Sequence, residues 1–161
     1  SIKTRWTRGE FSYLEMWYTH GVNPTNGTYA YVLLPGASTE ATKAFADTNA
    51  ITVLANNNKV QAAKDNRTGV TYITFWEKGS FGGVTVDNPC MVIMQDKESE
   101  FKIAVSDPTQ KLTSLNVSFS GAYTPVSADE VVKIVPSGSN TVLKINAEGS
   151  VGRSVECVFK K

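Results

Sequence analysis

Over most of its length this chain places apolar side chains at every second position. "EFKIAVSD" sets Phe101, Ile103 and Val105 against Lys102, Ala104 and Ser106, and "LNVSFSG" does the same with Leu115, Val117 and Phe119. Successive side chains of a strand point to opposite faces, so both segments predict strands with one face in a core. "ITVLAN" and "KVQAAKD", separated by "NNN", predict two more strands, and "EVVKIVP", "NTVLKINA" and "RSVECVFKK" close the chain in the same way. "CMVIMQD" reads as a continuously buried run, and "GVTYITFWEK" as a strand apolar on both faces, which sends Trp76, beside Phe75, into the core. The Gly pair in "FGGVTVDNP" predicts a bulge or bend. Strands recurring roughly every 8–12 residues with Gly, Pro, Asn or Asp between them predict an all-β fold, an antiparallel β-sandwich.

The first part of the chain has a different pattern. "FSYLEMWYTH" carries Phe11, Tyr13 and Trp17 on one face and Leu14, Met16 and Tyr18 on the other, which suits a strand covered on both sides. "NPTNG" is a turn cluster, and "TYAYVLL" is a second strand stopped by Pro35 and Gly36. Together they predict a hairpin. The period then changes. In "STEATKAFAD" Ser38 is placed as an N-cap, Glu40 lies in the first turn, and Ala37, Ala41, Ala44 and Phe45 fall near helical spacing, which predicts one short helix over about residues 39–46. Residues 1–36 also hold two of the three tryptophans and four of the six tyrosines. This shift places a boundary near Asp47, dividing the chain into residues 1–46 and 47–161. A two-stranded hairpin is not stable alone. Residues 1–46 are therefore expected to be the last strands of a larger sheet, with exposed apolar surface on residues 1–36 when that sheet is absent.

Composition narrows the function classes. The chain's 161 residues suffice for one full domain, and 41% hydrophobic with 19% charged residues describes a globular chain, not a disordered one. A net charge of +1 creates no field that would recruit nucleic acid or an anionic membrane, so neither partner is expected. No apolar run approaches the roughly 20 residues needed to cross a bilayer. The chain opens on Ser1 with no signal-peptide pattern, so a processed, cloned or cleaved start is expected.

Candidate chemistry is sparse. His20 is the one histidine, and no nucleophile elbow or ordered triad accompanies it. It reads as a turn histidine bonded to backbone, with general-base chemistry as the sharper alternative. Cys90 and Cys157 form no CxxC and find no metal partner in a single histidine; they read as two buried thiols, with one disulfide as the alternative in a secreted protein. Asn26, Asn66 and Asn116 head N-x-[ST] triplets. Asp96, Glu98 and Glu100 read as a solvated turn, with a calcium loop as the alternative although the pattern matches no EF-hand, so no metal-site residue is assigned. "GSFGG" lacks the Lys-[ST] and helix of a phosphate loop. Among the aromatics, Trp6, flanked by Arg5 and Arg8, is the best candidate for stacking on a sugar. Trp76 and Tyr123 are the further candidates if the sandwich binds carbohydrate by itself.

The stretch "THGVNPTNGTYAYVLLPG", Thr19 to Gly36, resembles the HG-x-x-P-x-x-x-x-YAY-x-x-x-P signature of the polysaccharide lyase family that includes hyaluronate, chondroitin AC and xanthan lyases. The short helix, "ITVLANNNKVQAAKD", "GVTYITFWEKGSF" and "FKIAVSDPTQ" continue the likeness in the same order, well over residues 10–112 and more loosely over 113–161. The resemblance implies an N-terminal α/α toroid, a central β-supersandwich whose last strands would be the hairpin here, and a smaller C-terminal sandwich. It implies β-elimination on an acidic polysaccharide by Asn, His, Tyr and Arg of the helical domain, whose motifs this sequence lacks. His20, Gly21, Pro24, Tyr29, Tyr31 and Pro35 match the signature, where a structural role is implied; no catalytic residue is carried over. A secreted, bacterial enzyme is implied, with no cofactor beyond a structural calcium in the longer enzyme. The partners implied are the polysaccharide, the toroid and the rest of the central β domain.

Overall fold

The computed structural model describes residues 15–161, which divide between two compact units, Ser1–Val32 and Leu33–Lys161. The second unit is nearly all strand. After helix α1 (Thr39–Ala46) come β1 (Ile51–Asn56), β2 (Val60–Asp65), β3 (Val70–Phe75), β4 (Gly79–Phe81), β5 (Val84–Val86) and β6 (Cys90–Asp96). They are followed by β7 (Glu100–Ser106), β8 (Ser114–Ser120), β9 (Thr124–Ala128), β10 (Val132–Ser137), β11 (Asn140–Asn146) and β12 (Val155–Lys160).

These strands form two sheets, one of seven in the order β1-β2-β3-β6-β7-β12-β9 and one of five in the order β10-β11-β8-β5-β4. Every recorded pairing is antiparallel. The inward faces meet in one apolar core. Ile73, Phe75, Val92, Phe101, Ile103, Val105 and Phe159 come from the larger sheet, and Val84, Leu115, Val117, Phe119, Leu143 and Ile145 from the smaller. Phe101 packs on Phe119 at 5.0 Å between ring centroids, and Phe119 meets Phe159 edge-on at 5.5 Å. The antiparallel sandwich expected from the alternating pattern is what forms.

Helix α1 matches its predicted span, and the Ser38 side chain accepts from the Ala41 N–H at 3.1 Å, as an N-cap should. The helix is tied to the β2–β3 turn by Arg67, which lies 5.2 Å over the Phe45 ring and grips Asp65 with two hydrogen bonds of 3.1 and 2.8 Å.

Four readings of the pattern are corrected. "CMVIMQD" is not buried throughout: Cys90 and Val92 face the core, while Met91 and Ile93 are exposed. The larger sheet is covered on one face by the smaller sheet, so β6 alternates like its neighbours. The glycines of "FGGVTV" make no bulge; Gly82 and Gly83, at φ 58° and 81°, form the two-residue turn joining β4 to β5. Two successive positive φ values are what a tight hairpin turn demands. The alternating pattern predicts no strand over "TPVSA", yet β9 forms there; it sits at a sheet edge, where its Pro125 is tolerated. Finally, among the described residues the predicted N-terminal hairpin does not form. Residues 15–34 contain no strand, in keeping with the low stability of a two-stranded hairpin by itself; the start of "FSYLEMWYTH" lies outside the described residues.

Candidate functional site

The signature segment is built around stacked phenols. Tyr18 and Tyr29 stack with ring centroids 5.6 Å apart, and Tyr29 stacks on Tyr31 at 6.3 Å. The Tyr18 hydroxyl donates to the Ala30 carbonyl at 3.3 Å, which holds the two ends of the segment together. Between them the chain reverses. Gly21, Asn23 and Asn26 take φ of 81°, 52° and 55° around Pro24, values that Gly and Asn tolerate best. The His20 ring is tilted against Tyr29 at 6.5 Å and lies over Gly27, where a Cβ would come within 3.1 Å of its Nδ1. Gly27 thus makes room for the imidazole. Pro35 opens the next turn, closed by Ala37 N–H donating to the Leu34 carbonyl at 3.2 Å.

These side chains are open to solvent: Met16, Trp17, Tyr18, Val22, Tyr29, Tyr31, Val32 and Leu33 are all exposed. Exposed apolar surface was expected on residues 1–36, and the described ones show it. The structure brings His20 and Tyr29 together. Arg5, Trp6 and Arg8, the candidate sugar contacts, lie outside the described residues.

The second unit sorts the remaining candidates. Tyr123 stacks on Phe101 at 5.0 Å and joins the core aromatics, so it offers no platform. Trp76 was expected inside and is 55% exposed. It follows β3 on the face turned away from the smaller sheet, and its N–H donates to the Lys59 carbonyl at 2.9 Å. Lys59 in turn pairs with Glu77 at 2.9 Å. Trp76 read as core because it follows Phe75; its parity with exposed Tyr72 is the signal that places it outside. Two buried carboxylates, Asp65 and Asp107, carry no sequence signal of burial, and both bind their own turns.

The acidic turn does not gather its carboxylates. Asp96 pairs with Lys161 and Glu100 with Lys102, and among the described residues no group of three His, Cys, Asp or Glu side chains is placed to hold a metal ion. Cys90 and Cys157 are both free and buried. Burial pushes the Cys90 thiol up to about 12 and that of Cys157 to about 11, far from thiolate reactivity.

Comparison with known proteins places this arrangement. Residues 52–116 match the family described as polysaccharide lyase family 8, C-terminal beta-sandwich domain. A hyaluronate lyase of Thermasporomyces composti is 31% identical over 148 residues, covering 91% of this chain and 19% of the relative. A xanthan lyase of Bacillus sp. (strain GL1) is 27% identical over 92% of this chain and 16% of its own length. Among solved structures, a Paenibacillus xanthan lyase superposes with a TM-score of 0.77 at 34% identity, over 88% of this chain and 14% of that one. A chondroitin AC lyase of Streptomyces coelicolor A3 gives 0.68 at 29% identity, over 79% and 17%. This chain thus spans less than a fifth of the length of these relatives. Its homologues are hyaluronate, xanthan and chondroitin AC lyases, and residues 52–116 are the C-terminal β-sandwich domain of that polysaccharide lyase family.

Proposed function

We propose that this chain is the non-catalytic C-terminal β part of a secreted bacterial lyase that cleaves a uronic-acid-containing polysaccharide by β-elimination, and that it braces the enzyme's helical catalytic domain. One observation carries the reading. The sole imidazole is exposed and lies against Gly27 and Tyr29, while the chain aligns with less than a fifth of the length of enzymes named for polysaccharide cleavage.

β-Elimination sets a stringent demand. A base must remove the weakly acidic proton next to the uronate carboxylate. A neutral donor must stabilise the charge that develops there, and an acid must protonate the leaving glycosidic oxygen. These groups have to converge in one cleft. Here the buried carboxylates are engaged in their own turns and the thiols are inert. In the whole enzyme the role left to this region is mechanical. The exposed aromatic segment at residues 15–34 would be covered by the remaining strands of the central β domain, and the sandwich would be carried alongside as its continuation.

The test is a lyase assay of this chain alone on hyaluronan, chondroitin and xanthan, following ultraviolet absorbance of the unsaturated uronate product. The expected result is no rise on any of the three. A rise that survives repurification and is abolished by His20→Ala would overturn the reading and make the segment itself catalytic.

A further inference from the structure

The face of the larger sheet turned away from the core has a composition that a bracing role does not explain. Residue alternation along β3 sends Ile73 and Phe75 inward and Val70, Tyr72, Thr74 and then Trp76 outward. Tyr72 is 46% and Trp76 55% exposed. Four residues at the strand rise separate them by about 13 Å along one line. The registers place their neighbours. On the β2 side Ala63 stands opposite Tyr72 and Gln61 opposite Thr74, and Lys59 lies across from Trp76. On the β6 side Ile93 stands opposite Tyr72, Met91 opposite Thr74 and Gln95 opposite Val70.

The result is a track with distinct edges. Two aromatic rings are spaced along its centre. One amide, Gln61, and one cation, Lys59, lie on the β2 side, where Gln61 is oriented by its 3.2 Å hydrogen bond to Asn56. Apolar Met91 and Ile93 form the other side. The charges at the Trp76 end are paired: Lys59 stands beside Trp76 and meets Glu77, in the following turn, at 2.9 Å.

We propose that this outer face, along β3, binds an extended acidic polysaccharide, with Trp76 and Tyr72 stacking on sugar rings of one chain, Gln61 and Thr74 meeting its hydroxyls and Lys59 meeting a uronate carboxylate. Sugar rings present C–H faces to aromatic rings and hydroxyls at their edges, so two exposed aromatics with an amide and a hydroxyl, Gln61 and Thr74, between them suit such rings. The choice of an acidic polymer rests on the lyase reading above, with exposed Lys59 exchanging Glu77 for a uronate carboxylate. Such a surface would hold polymer near the enzyme without taking part in cleavage, and raise local substrate concentration by tethering.

Affinity gel electrophoresis of the full chain in hyaluronan, chondroitin and xanthan, with circular dichroism as a control of folding, tests this directly. Retardation by at least one polymer is expected. Trp76→Ala and Tyr72→Ala should each weaken it by about tenfold, the scale of one good aromatic contact. Lys59→Gln should weaken it less and flatten its dependence on salt. Val126→Ala, at an exposed position on edge strand β9, should change nothing. Absence of retardation in the wild type, or retention of wild-type affinity in both aromatic variants, would overturn the proposal. So would self-association of the wild type that Trp76→Ala abolishes without any polymer bound, which would give the face to a second copy of the chain. Because binding is read without turnover, each of these results is independent of the absorbance assay that tests the lyase reading.

Discussion

The carboxylate of Asp107, buried just beyond β7, accepts four hydrogen bonds: from the Thr109 N–H at 2.8 Å, the Thr109 hydroxyl at 2.6 Å, the Lys111 N–H at 3.0 Å and the Leu112 N–H at 2.9 Å. One side chain thus satisfies three backbone donors of the β7–β8 connection and lets it fold over the end of the core. Burial pushes the Asp107 pKa up, but the Thr109 hydroxyl and the three amides together bring it below its ordinary value. Asp65 does related work at the β2–β3 turn, where the Arg67 guanidinium holds its carboxyl down at about 2. Removing the Asp107 carboxylate would strand the Thr109 and Leu112 N–H groups and leave Lys111 N–H with only its longer bond to the Thr109 hydroxyl at 3.3 Å. Asp107→Ala should therefore cost about 3 kcal/mol in urea unfolding, whereas the exposed Arg67 makes the Asp65 pair worth far less. Both carboxylates have folded pKa values below their unfolded ones. Their contribution is complete above the ordinary carboxylate range and is lost as pH falls below it towards 2. The urea midpoint of the wild type should decline over that window, and the Asp107→Ala variant should decline less steeply.

At the scale of elements, the two cysteines measure how the larger sheet is put together. Cys90 starts β6 and Cys157 lies on β12, with β7 between them. Two strand spacings put them at least about 10 Å apart. They are also staggered, because Cys157 pairs with Ile103, and Ile103 pairs with Met94, four positions along β6 from Cys90. A disulfide needs Cα atoms within about 7 Å, so this topology forbids one. A thiol reagent should find no reactive cysteine in the native chain and two after denaturation, and an intramolecular disulfide recovered under non-reducing conditions would contradict the strand order. The elements also show what a sequence can and cannot reveal. Strands β7 and β8 were legible because each buries one face, and α1 because Ser38 caps a helical run. Strand β6 was misjudged because its outward Met91 and Ile93 are as apolar as its inward residues, and a period of two vanishes when both faces are hydrophobic. The same ambiguity hid Trp76, whose exposure depends on which layer covers β3 and not on its neighbours in the chain. Strand β9 was missed because its partner, β12, lies far along the sequence, and only that pairing makes a proline-bearing segment into an edge strand. The signature residues were legible as a motif, but the stacking of Tyr18, Tyr29 and Tyr31 is a matter of chain reversal that no pattern encodes.

For the molecule as a whole, the contrast lies between a sandwich with a continuous core and a segment that has aromatic side chains without a core of its own. Residues 15–34 make no strand ladder and expose Trp17, Tyr18, Tyr29, Tyr31 and Leu33, all sites that chymotrypsin recognises. Cleavage needs a local stretch of chain to open. In a ladder that opening costs much of the global stability, whereas in an exposed segment without strands it costs almost nothing. Limited chymotrypsin digestion should therefore cut between residues 15 and 34 well before it touches the sandwich, where Phe75, Phe101, Phe119 and Phe159 are buried and the exposed Tyr72 and Trp76 are held by the β2–β3 ladder. The surviving fragment should begin near Pro35 and melt within a degree or two of the intact chain, since the buried core loses no side chain in the cut. A first cut inside β1–β12, or a melting temperature several degrees lower, would mean that the aromatic segment already contributes to the sandwich. The expected result instead leaves a stable sandwich and a detachable aromatic segment. That is the division of labour required if these tyrosines are destined for a sheet supplied by the rest of a lyase.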